Sequence, residues 1–204
     1  VIPNGADPNR WKIPLSENSN DKKFTVGFLG AFEYFIDFQL LVDVIDRMPD
    51  VQFLLVGHGR LFSWVKEQIR MRGNKNVILT GAVPYLEVGK YVSQMDVCLN
   101  TFKKIPISHR ACPIKLFEYL VLKKPVISTR LEEVEKIDRQ CVFFADTVDE
   151  TVAIIEKIRL DPSISDEYVK RGYDMVINRY SWDPIVTRFE QLLISELEKK
   201  GKKK

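Results

Sequence analysis

The chain has 204 residues, 45% apolar and 11% aromatic, enough to bury a core and too few for two large domains. Its 31 Lys and Arg stand against 28 Asp and Glu, a formal charge of +3 with the signs interspersed, which excludes a nucleic-acid protein driven by bulk charge. Charges interrupt every apolar run short of the roughly 18 residues a membrane span needs, and no basic segment followed by an apolar one opens the chain, so neither a transmembrane helix nor a secretory signal is predicted.

The opening Val1-Ile2-Pro3-Asn4-Gly5-Ala6-Asp7-Pro8 reads as a strand end running into a turn, followed by a polar, mobile stretch at Asn18–Lys23. Such a start, without an initiator Met, predicts that residues 1–23 lead in from a domain upstream. From residue 24, short apolar runs bounded by Gly, Pro or Asn alternate with longer amphipathic stretches, the signature of βαβ units. Strands are predicted at Phe24–Gly30, Val51–Val56, Asn76–Thr80, Asp96–Thr101, Pro125–Ser128 and Cys141–Ala145. Most are apolar throughout, as a sheet covered on both faces requires. Helices are predicted between them at Asp37–Met48, Arg60–Arg72, Tyr85–Gln94 and Pro113–Leu122. Past residue 146 only helices are expected, at Val148–Leu160, Ile164–Tyr180 and Asp183–Glu198, the last capped by Ser181 or Asp183 with Pro184 in its first turn. Residues 163–204 thus form a helical end, and its basic tail Lys199–Lys204 is read as a solvated terminus, with attraction to an anionic membrane surface as the sharper alternative.

Cys98, Cys112 and Cys141 lie far apart and are odd in number, which fits neither a disulfide framework nor a CxxC metal pair. They are read as reduced core residues of a cytosolic protein. With His58 and His109 the only histidines, no metal site is predicted. Trp64 and Trp182 are read as packing residues.

In an open parallel sheet, ligands sit outside the carboxyl ends of the strands. The residues at those ends are Gly30-Ala31-Phe32, Gly57-His58-Gly59, Gly81-Ala82-Val83-Pro84, Thr101-Phe102-Lys103-Lys104 and Ser128-Thr129-Arg130. Three of the five begin with Gly, where a backbone turns sharply or lets a ligand approach closely, so they are read as a ligand-holding rim. The sharpest signal is Arg110-Ala111-Cys112-Pro113-Ile114-Lys115-Leu116-Phe117-Glu118-Tyr119-Leu120. With Pro113 as the first helical residue, the free N–H groups of Ile114 and Lys115 point toward any anion, a diphosphate among them. Glu118, one turn on, can accept two hydrogen bonds from vicinal hydroxyls such as those of a ribose. The same spacing equally describes an ordinary helix-surface ion pair between Lys115 and Glu118.

Val1-Ile2-Pro3-Asn4-Gly5-Ala6-Asp7, Leu55-Val56-Gly57-His58-Gly59, Gly81-Ala82-Val83-Pro84, Asp96-Val97, Lys115-Leu116-Phe117-Glu118-Tyr119-Leu120 and Lys124-Pro125-Val126-Ile127 occur in one order with one set of gaps. As a set they resemble the C-terminal half of the group 1 (family 4 type) retaining glycosyltransferases of the GT-B fold. The resemblance runs from Val1 to the final helix near Trp182. It implies one α/β, Rossmann-like domain with a parallel sheet of order 3-2-1-4-5-6, covered by helices on both faces. It implies that this half binds a nucleotide diphosphate sugar, of UDP or GDP type, for a cytoplasmic hexosyltransferase of polysaccharide or glycoconjugate synthesis. The acceptor would sit mainly on a missing N-terminal domain, the reaction would need no metal or other cofactor, and this half alone would be inactive. In that family Glu118 matches the second Glu of a Glu-x7-Glu motif and would bind the ribose hydroxyls, while Val83 and Pro84 would meet the base through backbone atoms. Gly30, Ala31, Gly57, His58, Gly59, Ile114 and Lys115 complete the donor site that the resemblance implies.

Departures are as informative. The motif's first Glu is replaced by Arg110, and the family's basic pair after the first strand falls at Ala31 and Ile36, which carry no charge. Lys115 is then the expected substitute partner for phosphate, and Lys115 and Arg110 the candidate catalytic cations, with Lys103 and Lys104 clustered nearby. The same departures motivate one rival, a non-catalytic nucleotide-binding or scaffold member of the fold; a second rival is another enzyme of the GT-B architecture, such as a nucleotide-sugar epimerase.

Overall fold

The computed structural model describes residues 2–10 and 23–201. Six strands, β1 (Thr25–Leu29), β2 (Gln52–Val56), β3 (Val77–Gly81), β4 (Val97–Asn100), β5 (Val126–Ser128) and β6 (Phe143–Phe144), form one sheet of order β3-β2-β1-β4-β5-β6. Every pairing is parallel, so strand order and direction agree with the sequence reading. Crossovers are α1 (Phe38–Arg47), α2 (Phe62–Arg72), α3 (Val88–Ser93), α4 (Pro106–His109) with α5 (Ile114–Val121), and α6 (Glu132–Ile137). After β6 come α7 (Val148–Leu160), α8 (Asp166–Met175), a π-helical turn Val176–Tyr180, and α9 (Trp182–Gly201).

Local chemistry sets these boundaries. Asp37 caps α1 by accepting the Leu40 N–H at 3.0 Å, and Thr147 with Glu150 forms a reciprocal capping box at the start of α7. The predicted helix Tyr85–Gln94 opens as a 3-10 turn, Tyr85–Glu87, and the predicted Ile164–Tyr180 divides into a 3-10 turn, α8 and the π turn. The predicted strand Cys141–Ala145 pairs over two residues only. Pro113 lies just outside α5: its ψ of 119° is extended, so the helix begins at Ile114. Ser181 directly precedes α9, and Pro184 lies in its first turn. α4 and α6, at four and six residues, went unpredicted because neither is long enough to show periodicity.

The core lies on both faces of the sheet: Phe28, Phe53, Leu55, Val97 and Leu99 are buried on one face, and Leu54, Val56 and Cys98 on the other. Cys98 and Cys141 are buried and Cys112 half-buried, all three as free thiols. Burial pushes all three thiols up, Cys141 to about 12. Trp64 and Trp182 depart from the packing role expected of them, being 37% and 45% exposed. The lead-in reaches the other end of the chain, where the Ala6 N–H donates to the Tyr180 carbonyl at 2.9 Å. Of the stretch Asn18–Lys23 only Lys23, and of the tail no residue beyond Gly201, falls within the described residues.

Strand order reverses between β1 and β4, and there the sheet splays. β1 and β2 pair over five residues, whereas β1 and β4 pair only at Val26–Val97 and Gly27–Cys98. The Leu29 N–H, left without a strand partner on that side, donates to the Tyr119 hydroxyl of α5 at 2.7 Å. Tyr119 is fully buried, so this bond fixes the depth of α5 and sets its first turn beside the opened strand ends.

Candidate functional site

A cavity of about 520 Å³ occupies this switch point, where open α/β sheets bind ligands. Its walls are the end of β1 (Leu29, Gly30, Ala31), the start of α5 (Ile114, Lys115, Glu118), Phe102 after β4, Tyr85, and Asn4 of the lead-in. Asn4 is held there because its Nδ2 donates to the Cys112 carbonyl at 2.8 Å, tying the lead-in to the loop before α5. A larger, more polar hollow at Lys23, Asp46, Arg72 and Asn76 lies by the amino ends of β1 and β3, away from the strand ends where ligands gather.

Glu118 is only 5% exposed, and its Oε1 accepts from the Tyr85 hydroxyl at 3.0 Å. Burial raises the Glu118 carboxyl above its ordinary range, partly offset by that hydrogen bond and by the positive charges of Lys115 and Arg10. Arg10 lies 5.3 Å over the Tyr85 ring, so the lead-in supports this carboxylate from behind.

Lys115 differs from the surface residue that its spacing also allowed. Its Nζ is buried without a hydrogen-bond partner, 4.0 Å from the Phe28 ring centroid and 5.1 Å from that of Phe102. Burial pulls its ammonium down to about 7, with Glu118 opposing the shift. Neither residue is on the surface, so the helix-surface ion pair is not what forms. Lys115 is the only cationic side chain among the described residues of the wall.

The sequence-predicted residues divide in two. Gly30, Ala31, Ile114, Lys115 and Glu118 converge on the cavity. Gly57, His58, Gly59, Val83, Pro84 and Arg110 do not line it. A Cβ on Gly57 would stand 1.9 Å from the Gly30 carbonyl oxygen, and one on Gly59 2.7 Å from the Phe32 nitrogen. These two glycines let the loops after β1 and β2 lie against each other, joined by Phe32 N–H to His58 O at 3.1 Å, so they shape the rim from behind. His58 is exposed and packs on the Phe62 ring at 4.6 Å. Val83 and Pro84 lead into Tyr85 on the neighbouring rim. Arg110 is exposed at the end of α4, Lys104 pairs with Asp146 at 2.5 Å, and Lys103 borders a separate small cleft. The expected basic cluster therefore does not converge here. Sequence reasoning missed Tyr85 and Asn4; Tyr85 directly follows the Gly81–Pro84 motif, the one signal that pointed to it.

Comparison with known proteins decides the family. The sequence model of the "Glycosyl transferase-like" family matches residues 37–191, more than half of the chain. The chain belongs to the glycosyl transferase-like family. A relative in Bacillus subtilis (strain 168), named "Putative teichuronic acid biosynthesis glycosyltransferase TuaH", is 32% identical over 118 residues, 58% of this chain and 30% of that protein. Among solved structures, Anabaena HepE in complex with UDP and glucose superposes with a TM-score of 0.81 at 19% identity, covering 96% of this chain and 56% of that one. The C-terminal domain of the Francisella tularensis group 1 glycosyl transferase LpcC superposes at 0.66 with 15% identity, covering 87% of this chain and all of that domain. These structural likenesses fix the fold as the Rossmann-like half of a GT-B architecture. This member of the glycosyl transferase-like family spans less than two thirds of the length of TuaH and of HepE. Among its described residues, no helix is long and apolar enough to cross a membrane, and no three His, Cys, Asp or Glu side chains converge as metal ligands.

Proposed function

We propose that the chain is the donor-binding half of a glycosyltransferase that moves a sugar from a nucleoside diphosphate to an acceptor held mainly by another domain. The observation that carries this reading is the convergence of Glu118, Lys115 and the first amides of α5 on one cavity at the switch point. Glu118 would accept from the ribose hydroxyls, with Tyr85 already holding one of its oxygens. The amides of Ile114 and Lys115, which have no carbonyl one turn behind them, would meet the diphosphate. Loss of the nucleoside diphosphate concentrates negative charge on the phosphates, so donors aimed there stabilise the transition state above the ground state. HepE, in complex with UDP-glucose, supports this ligand class.

Isothermal titration with UDP, GDP and ADP tests the reading. Saturable binding of one of them is expected; no saturation by any at millimolar concentration would contradict it. The pH profile carries a second expectation. Since Glu118 accepts from ribose as a carboxylate, affinity falls as acid protonates it, and this loss begins above the ordinary carboxyl range because burial raises the group. Tyr85→Phe removes a bond that favours the ionised form and is expected to move the loss to still higher pH, read from titrations between pH 4.5 and 8.

A further inference from the structure

The donor reading leaves an electrostatic gap. A diphosphate carries two negative charges, yet the described wall of the cavity holds one cationic side chain and one buried carboxylate. Ala31 is exposed and uncharged, Ile36 is buried, Lys104 pairs with Asp146, and neither Lys103 nor Arg110 lines the cavity. Among the described residues of the wall the charge comes from Lys115, whose Nζ lies against Gly30: a Cβ there would be 3.0 Å from it. Gly30 thus leaves room for the amine at the end of β1, where α5 starts.

We propose that the Lys115 amine takes up a proton from solvent as a donor's diphosphate arrives, so that binding itself creates the site's cation. This rests on the donor reading above and deepens it. In the structure the amine lies between two rings with no oxygen to accept its hydrogens. Ring faces favour an ammonium only in part, and full desolvation opposes it. A phosphate supplies the missing acceptors and the opposing charge together. Consistent with this arrangement, burial brings the amine's titration to about 7.

Other groups near Lys115 do not account for such an uptake. Glu118, one turn along α5, would be held more firmly ionised by ribose and so release rather than bind a proton. Tyr85 and Arg10 lie beyond Glu118. Phe28 on β1 and Phe102 after β4 bring no titratable group. His58 packs on Phe62, and His109 faces Glu132 at 3.8 Å, both outside the cavity wall.

The test is calorimetric titration with UDP-glucose and with GDP-mannose, whose diphosphates stay fully ionised near neutrality, in buffers of different ionisation enthalpy. The chain is expected to take up most of a proton per bound donor at pH 8 and little at pH 6, with affinity declining as the pH rises above about 7. Lys115→Met is expected to abolish the uptake and weaken the donor about 10- to 100-fold at pH 6.5, while binding of uridine, which has no phosphate, changes less than about twofold. Lys115→Arg, permanently charged, keeps more affinity than Lys115→Met and shows no uptake. Equal heats in all buffers at pH 8 with the unmodified chain, or full donor affinity in Lys115→Met, would overturn the proposal while leaving the donor reading standing. Failure of both nucleotide sugars to bind the unmodified chain, together with failure of UDP, GDP and ADP, would overturn both.

Discussion

Glu118→Ala is expected to weaken nucleotide binding by about 100-fold, the equivalent of two charge-assisted hydrogen bonds at about 1.5 kcal/mol each. The carboxylate is buried, has one oxygen already oriented by Tyr85, and faces the cavity from the second turn of α5, so no neighbouring acceptor can take its place. The near-isosteric Glu118→Gln separates function from folding. Because the folded-state carboxyl titrates above its ordinary value, the group favours the folded protein in acid, and that advantage is lost as pH rises through the folded value. At pH 7.5 the buried charge therefore costs stability, and Gln removes the charge while keeping an oxygen for Tyr85. Glu118→Gln should bind nucleotide poorly yet melt higher than the unmodified chain at pH 7.5, with the difference gone near pH 4. Thermal melts at the two pH values check the sign, and a lower melting temperature at pH 7.5 would show that the carboxylate stabilises the fold.

Gly57→Ala carries the largest expected effect on folding. Gly57 has φ of +132°, and a Cβ would lie 1.9 Å from the Gly30 oxygen and 2.9 Å from its carbonyl carbon. Backbone cannot step aside as a flexible side chain can, and the Gly30 N–H is itself bonded to the Val56 carbonyl at 2.9 Å. Backbone strain and overpacking of this kind together cost about 3–5 kcal/mol. Urea unfolding measures it. Gly73→Ala is the control: φ there is +72°, and a Cβ would meet nothing within 4 Å, so only the left-handed conformation is penalised, about 1–2 kcal/mol. Equal losses in the two variants would mean that the loop-to-loop contact is unimportant. Displacing Gly30 also displaces the backbone beneath Lys115, so any folded Gly57→Ala protein should bind donor more weakly.

The sheet was legible because all-apolar runs such as Val51–Val56 have few other places to go, and the helices between them carry amphipathic periodicity over ten residues or more. Short helices fell below that threshold: α4 spans four residues and α6 six. The site was legible where its residues share one helix. Ile114, Lys115 and Glu118 stand within the first two turns of α5, and their spacing alone placed them together. Spacing left open whether Lys115 faces solvent, because that depends on Phe28 of β1 and Phe102 after β4. The contacts of the glycines in the second loop were hidden for the same reason. Gly57 and Gly59 touch Gly30 and Phe32 across the rim, and a contact between separate loops leaves no local trace. Asn4 likewise joins the wall through a bond to Cys112, 108 residues away.

The central claim is that the donor binds at the strand ends between β1 and α5. It is tested most directly by amide NMR of the isotopically labelled chain titrated with UDP-glucose and GDP-mannose. The largest shifts for one of them are expected to cluster at Gly30, Ala31, Ile114, Lys115 and Glu118, with little change at Gly73, Asn74 and Asn76 by the amino ends of the strands. Shifts centred on that opposite end, or saturable binding that leaves the start of α5 unperturbed, would contradict it.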